Sequence, residues 1–344
     1  MIDQLVYDME SDILARIAYY LSRGAVASAD WQTRKLSQLG ALTKDAQAII
    51  NQYRARILLQ TGKAVSESAE DILAQIRART PKQLKTIAAM TPGMREIIQT
   101  WSGSAATKVN LAMAQLAQNA GSKYVAAVSK ASLSVVTGTE TLQRSVMQSI
   151  GELERLDAFV DKAGRTWTPE GYVKMVVRDN QRRASTAAMF QAAAEGDTDL
   201  IEVSSHLGAR PKCAPYQGRI FSISGTHPKY PALASTSFGQ PDGLNGINCG
   251  HIFYPYFEGL SKKTYEPYPA KENKEVYKQS QEQRAAERKI RHYKREAQKW
   301  GATEGGEQKA AYFKTRVKES QAEMRDFIKD TGRTRQRDRE AIYG

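Results

Sequence analysis

The chain has 344 residues, 41 % of them hydrophobic, and a net charge of +13. That length leaves room for two or three domains, and such apolar content with strong periodicity excludes a disordered chain. No apolar run approaches the length of a membrane span, and two cysteines do not make a disulfide framework.

Charge is unevenly placed. Residues 260–344 hold 22 Lys and Arg against 14 Asp and Glu, so +8 of the +13 sits in the last quarter. A skew of that kind suits a polyanionic neighbour, nucleic acid first among them, although a solvated charged face gives the same count. The N-terminus, MIDQLVYDMESDILARIAYYL, carries acids where a secretory signal would carry basic residues, so the expected setting is a cytoplasm or something assembled there.

The first 150 residues read as helix. Leu5, Met9, Ile13, Ile17 and Leu21 recur at three-to-four spacing up to a stop at Arg23-Gly24. Further helices are expected at Trp31 to Leu42, Asp45 to Leu59 and Ser66 to Ala78, the last capped by Ser66. Pro81 and Pro92 punctuate the chain, and Ser104 to Gly151 reads as closely packed helices broken at Gly121 and Gly138. Apolar residues in this body, Ile13, Ile17, Leu21 and Val26 among them, exceed what one small bundle buries, and the surplus is expected either to form a partner surface or to pack on itself. No P-loop, GxGxxG, HExxH or GxSxG motif occurs.

Ala158 to Trp167 reads as a hairpin around Lys162-Ala163-Gly164. Thr168-Pro169 then caps a helix to Ala194 carrying a basic cluster, Arg178, Arg182 and Arg183, expected on a solvated face, with DNA contact as the alternative. Leu200 to Gly259 is the densest stretch. It holds both cysteines (Cys213, Cys249), three of four histidines (His206, His227, His251) and six of eleven prolines. Gly and Pro at that density set turns, and Leu200–Val203, Arg219–Ile223 and His251–Tyr254 are expected strands.

In the last quarter, Ile290, Tyr293, Ala297 and Trp300 form an apolar stripe nearly opposite Arg284, Arg288, Arg291 and Arg295. Gly301 to Gly306 turns into a second amphipathic helix bearing Phe313, Val317, Met324, Phe327 and Ile328, an αα-hairpin. Arg333, Arg335, Arg337 and Arg339 alternate in a tail read as a flexible phosphate-binding arm in preference to a charged tail that only aids solubility. The fold class is mainly α with a small central α+β module. It divides as a helical body (1–155), a turn-rich Cys/His module (156–260), a basic helical hairpin (261–330) and a tail (331–344).

GYVKMVVRD, SSHLGARPKCAPYQGRIFSIS and YPALASTSFGQPDGLNGINCGHIFYPYFEG, spanning about residues 165–260, resemble the phage minor capsid protein 2 family. They are similar, more distantly, to the Mu F-type head morphogenesis domain. The resemblance implies a structural role without catalysis. It places the protein in the capsid interior near the portal vertex, with the portal protein, the major capsid protein and packaged double-stranded DNA as neighbours, and no membrane. The Mu F-type domain often carries a Cys-x-x-Cys pair and a late His-Pro-x-Cys element, a zinc-like spacing. Only Cys213 and Cys249 match it, since Arg210 and Gly246 stand at the other positions. A zinc site would have to recruit His251 and His206. The alternatives are buried thiols and hydrogen-bonded histidines locking turns, or a hydrolase pairing Cys213 with His251 and oriented by Asn248 or Asp242. A non-specific DNA-binding internal or ejected head protein is the other reading of the basic quarter.

Overall fold

The computed structural model describes residues 2–23, 30–80, 90–137, 139–153, 155–156, 159–160, 164, 166–301 and 307–342. Their elements are α1 (Ile2–Ser22), α2 (Trp31–Ser37), α3 (Leu39–Arg79), α4 (Pro92–Val136), α5 (Leu142–Gly151), β1 (Phe159–Val160), β2 (Thr166–Trp167), α6 (Pro169–Glu195), β3 (Leu200–Val203), β4 (Ile220–Ser222), β5 (Phe253–Pro255), α7 (Ala270–Gly301) and α8 (Glu307–Thr331). The chain is mainly α with a small sheet-bearing module, as the residue pattern predicts. No helix among the described residues is long and apolar enough to cross a membrane.

Two helices run further than expected. The anticipated breaks inside residues 39–79 are absent, because Ser66 does not cap a new helix. Its hydroxyl donates back to the Gly62 and Lys63 carbonyls, at 3.2 and 3.0 Å, from mid-helix. α4 likewise passes through Gly121, where a Cβ would come within 3.1 Å of Leu39 Cδ1. The glycine serves close helix approach rather than a break. Gly24, Val26, Pro81, Gly138, Lys162 and Ala163 lie outside the described residues.

The chain forms two compact units, each assembled from separated segments: residues 1–57, 109–173 and 282–344, and residues 58–108 with 174–281. This differs from four consecutive domains, because α3, α4, α6 and α7 each contribute residues to both units.

In the first unit, Val6, Met9, Ile13, Ile17 and Leu21 of α1 are fully buried. These residues therefore do not form the surplus apolar surface expected of the N-terminal body. The last turn of α1 leaves carbonyls without helical partners, and the buried Lys35 ammonium takes two of them, Tyr20 O and Arg23 O. Tyr124 of α4, also fully buried, donates to Lys35 O at 2.9 Å. Glu10 accepts the Leu156 N–H at 2.8 Å, and burial pushes its carboxyl from 4.5 up to about 7.

α7 and α8 pair antiparallel, since Lys289 bridges to Glu323 while Tyr293, further along α7, meets Phe313 and Arg316, which lie earlier on α8. The expected turn between them falls largely in residues outside those described. The residues after α8 are not a free arm. Gln283 donates to Thr334 O and accepts from Arg333, Arg291 bonds Arg339 O, and Lys294 donates to Glu340 O. Glu340, 2 % exposed, takes a two-pronged bond from Arg335, both contacts 2.6 Å.

In the second unit, β3 is the centre of an antiparallel sheet ordered β4-β3-β5. Ile201 faces Phe221 and Pro255 across the ladders, and Val203 faces Phe253. All four β3 residues are buried. The sheet shares one buried cluster with Ile72, Leu73 and Ile76 of α3, Met94 of α4, and Ala188, Met189 and Ala192 of α6. At about 1.5–3 kcal/mol for each large buried aliphatic side chain, those helices carry much of what holds so small a sheet. Glu202, buried on β3, accepts the backbone N–H groups of Thr264 and Tyr265, each at 2.7 Å, and so fixes the strap that leads to α7.

Candidate metal centre

The ends of β3 and β5 bring the Cys/His segments together. Ser204 N–H donates to Ile252 O at 2.8 Å, and Ser204 Oγ accepts the Ile252 N–H at 2.9 Å. His206 and His251 therefore sit side by side, ring centroids 4.4 Å apart at 36°. Gln217, fully buried just before β4, serves both: its Oε1 accepts the His206 backbone N–H at 3.1 Å and lies 3.4 Å from His251 Nε2. A carboxamide oxygen only accepts, so His251 Nε2 carries the proton. Its Nδ1 lone pair then faces Cys249 Sγ at 3.5 Å.

Arg210 closes the other side. Its guanidinium donates to Ile247 O at 3.0 Å and Gly243 O at 3.1 Å, holding the 243–249 loop against the turn in which Cys213 N–H donates to Arg210 O. Where the resembled pattern has a cysteine, this chain has the cation that clamps the loop. Where that pattern has its late histidine, Gly246 is obligatory here, since a Cβ would lie 2.1 Å from Gln240 O. Asn245 and Asn248 adopt positive φ of 54° and 58° in the same loop.

The donor atoms of Cys213, Cys249 and His251 all lie within 4.8 Å of one another, with Cys213 1 % exposed and His251 4 %. His206 lies outside that mutual set, its ring tilted against that of His251. Its Nε2 is buried with no hydrogen-bond partner, and it packs so near Gly250 that a Cβ there would come within 3.2 Å. The thiols polarise each other. The Cys213 hydrogen bond pulls Cys249 well below the ordinary thiol range, with His251 adding to the effect, while the same contact and burial push Cys213 up. Burial and the neighbouring His251 lower His206. Two sulfurs, an imidazole nitrogen facing them and an orphaned second imidazole fit a soft divalent ion such as zinc.

The same geometry bears on the hydrolase alternative. Cys213 is almost inaccessible and its thiol is pushed up, the reverse of an activated nucleophile. Asp242, one suggested orienter, is at the surface in an ion pair with Lys212 at 2.8 Å. His227 lies apart, against Tyr230 and Glu258.

The basic residues expected at DNA divide into two groups. Arg284, Arg288 and Arg337 are exposed. Arg295 pairs with Glu170 at 2.7 Å, Arg335 with Glu340, and Arg291 and Arg333 bond Arg339 O and Gln283, while Arg339 is half-buried. The α6 cluster is not wholly a solvated face either. Arg182 pairs with Asp179 and bonds the Asn245 carbonyl and side chain, so it holds the Cys249 loop, and Arg183 pairs with Asp179 at 2.8 Å and lies over Trp101.

Sequence reasoning missed Asn273 at the start of α7. Its Oδ1 accepts from Gly208 and Ala209 N–H at 2.9 and 2.8 Å and its Nδ2 donates to Ala209 O at 2.8 Å, pinning the loop after His206. Only its position in the first turn of a predicted helix, next to a proline-rich strap, hinted at a polar contact.

The protein is largely helical, with a small turn-rich sheet whose loops are tied by buried polar contacts. A structural protein of Lactococcus phage LL-H is 29 % identical over 340 residues, covering 91 % of this chain and 89 % of its own length. A structural protein of Lactococcus phage mv4 is 35 % identical over 121 residues, covering 34 % of this chain and 94 % of its own. The model of the phage minor capsid protein 2 family matches residues 2–329, and the chain belongs to that family. No solved structure matches it.

Proposed function

We propose that this phage structural protein sits on the inner side of the head near the portal vertex. There it contacts portal protein, with the major capsid protein beside it and packaged duplex DNA against its basic helices, and it assists assembly, packaging or ejection. The observation that carries this reading is the +8 concentrated in residues 260–344 of a minor capsid protein. Charge of that sign faces the packaged polyanion more readily than the outside of a shell. The apolar contact for a portal surface is assigned to Leu111, Leu133 and Val136. They are 63, 64 and 83 % exposed and fall on one face of α4 at about 100° per residue.

Locating the protein in intact heads tests this. Density inside the shell at the portal vertex is the expected result, and density on the outer surface overturns the reading. Duplex DNA retention by the full chain should fall with salt at a log–log slope of about 0.9 per phosphate contacted. Because several of the arginines are bonded within the protein, only a few contacts are expected. Arg288→Ala with Arg337→Ala should lower the slope by about 2, and an unchanged slope removes these two from the interface.

A further inference from the structure

We propose that Cys213 Sγ, Cys249 Sγ and His251 Nδ1 bind one zinc-class divalent cation, with His206 Nε2 as the fourth donor, forming a closed structural site. The proposal stands apart from where the protein sits in the virion.

Three observations converge on it. The donor set is soft and compact: two sulfurs and an imidazole nitrogen lie within 4.8 Å of one another. Around a tetrahedral zinc, with Zn–S about 2.3 Å and Zn–N about 2.0 Å, neighbouring donors lie roughly 3.3–3.8 Å apart. The second observation is the orientation of His251. A ligating histidine almost always hands its other ring N–H to an oxygen that fixes the tautomer. Gln217 Oε1, fully buried and 3.4 Å from His251 Nε2, is placed to do so, leaving Nδ1 toward the thiols. The third is His206 Nε2, buried without a partner beside Gly250. An unpaired buried nitrogen is costly, and ligation removes that cost.

The surroundings suit a closed site better than a reactive one. Arg210, Arg182 and Asn273 each hold one of the contributing loops, and among the described residues no carboxylate joins the donor set. The ion would tie the turn after β3 to the loop before β5. It would thus supply the cross-link that a turn-rich module of this size otherwise takes from disulfides.

The test titrates the full-length reduced protein, purified without chelator and then stripped of metal, with Co²⁺. Expected is one equivalent bound, with a thiolate-to-cobalt charge-transfer band in the near ultraviolet, the intense visible bands of tetrahedral cobalt, and loss of both on adding one equivalent of Zn²⁺. Cys213→Ser with Cys249→Ser should abolish the charge-transfer band. His206→Ala should keep it but weaken binding about ten-fold or more and change the visible bands. Folded wild-type protein that shows no charge-transfer band overturns the site, and this arm does not depend on any variant folding. A band that survives in the double cysteine variant also overturns it. Unchanged affinity and visible bands in His206→Ala remove His206 from the donor set and overturn the four-ligand assignment.

Discussion

Glu10 shows how one buried carboxyl sets a pH dependence. Its folded-state value is about 7 against 4.5 for an ordinary glutamate, chiefly because burial penalises the charge. Between those values the unfolded chain has lost the proton and the folded chain keeps it, so stability falls as pH rises from about 4.5 to about 7 and is flat beyond. The shift corresponds to about 3 kcal/mol. Glu10→Gln keeps an acceptor for Leu156 N–H and removes the charge. The variant should match the parent at pH 4.5 and exceed it by up to about 3 kcal/mol at pH 8, measured by urea unfolding at the two pH values. Equal stability at both would mean the carboxylate is solvated. Gly246 makes the complementary steric case: Gly246→Ala places a Cβ against Gln240 O, and the loop must shift. A loss of about 3 kcal/mol is expected, and a thermal midpoint unmoved by the substitution would contradict the tight loop.

At the scale of elements, the tail after α8 is held by a buried ion pair rather than left free. Removing one partner strands the other, so Arg335→Ala should cost about 3 kcal/mol. Replacing both at once, Arg335→Met with Glu340→Leu, should restore most of it. Denaturation midpoints of the three proteins decide this, and a double variant as weak as the single would mean the loss is not that of a stranded charge. The same elements show what a sequence can convey. Period-3.6 stripes such as Leu5 to Leu21 and Ile290 to Trp300 gave α1 and α7, and the β-branched run Leu200–Val203 gave β3 to the residue. The uninterrupted length of α3 was not legible, because a serine that caps and a serine that bonds back to its own helix read alike. Cys213, Cys249 and His251 were legible as a cluster because soft donors are rare here. Gln217 and Asn273, which orient it, are common residues whose role depends on partners many positions away. The tail misled because alternating arginines carry no mark of the carbonyls and carboxylate that receive them.

For the whole molecule, the interleaving of segments governs what can stand alone. The sheet of the second unit packs on Ile72, Leu73, Ile76 and Met94, all contributed by residues 58–108. A fragment of residues 156–260 lacks every one of them. It should show no cooperative thermal transition, whereas residues 58–281, which keep all of that unit, should show one. A sharp transition in the short fragment would mean the sheet needs no helical support. The contiguous Cys/His module suggested by composition is therefore a region of chemistry rather than a folding unit.

The first unit draws on both ends of the chain, residues 1–57 and 282–344. During synthesis that unit cannot be completed until residues 282–344 have left the ribosome, which takes roughly 3–13 s at ordinary elongation rates. The second unit has all its residues by position 281 and can fold during that interval. A nascent chain therefore passes through a stage with one half finished and the other open. A host chaperone that covers exposed helices would meet residues 1–57 during that interval.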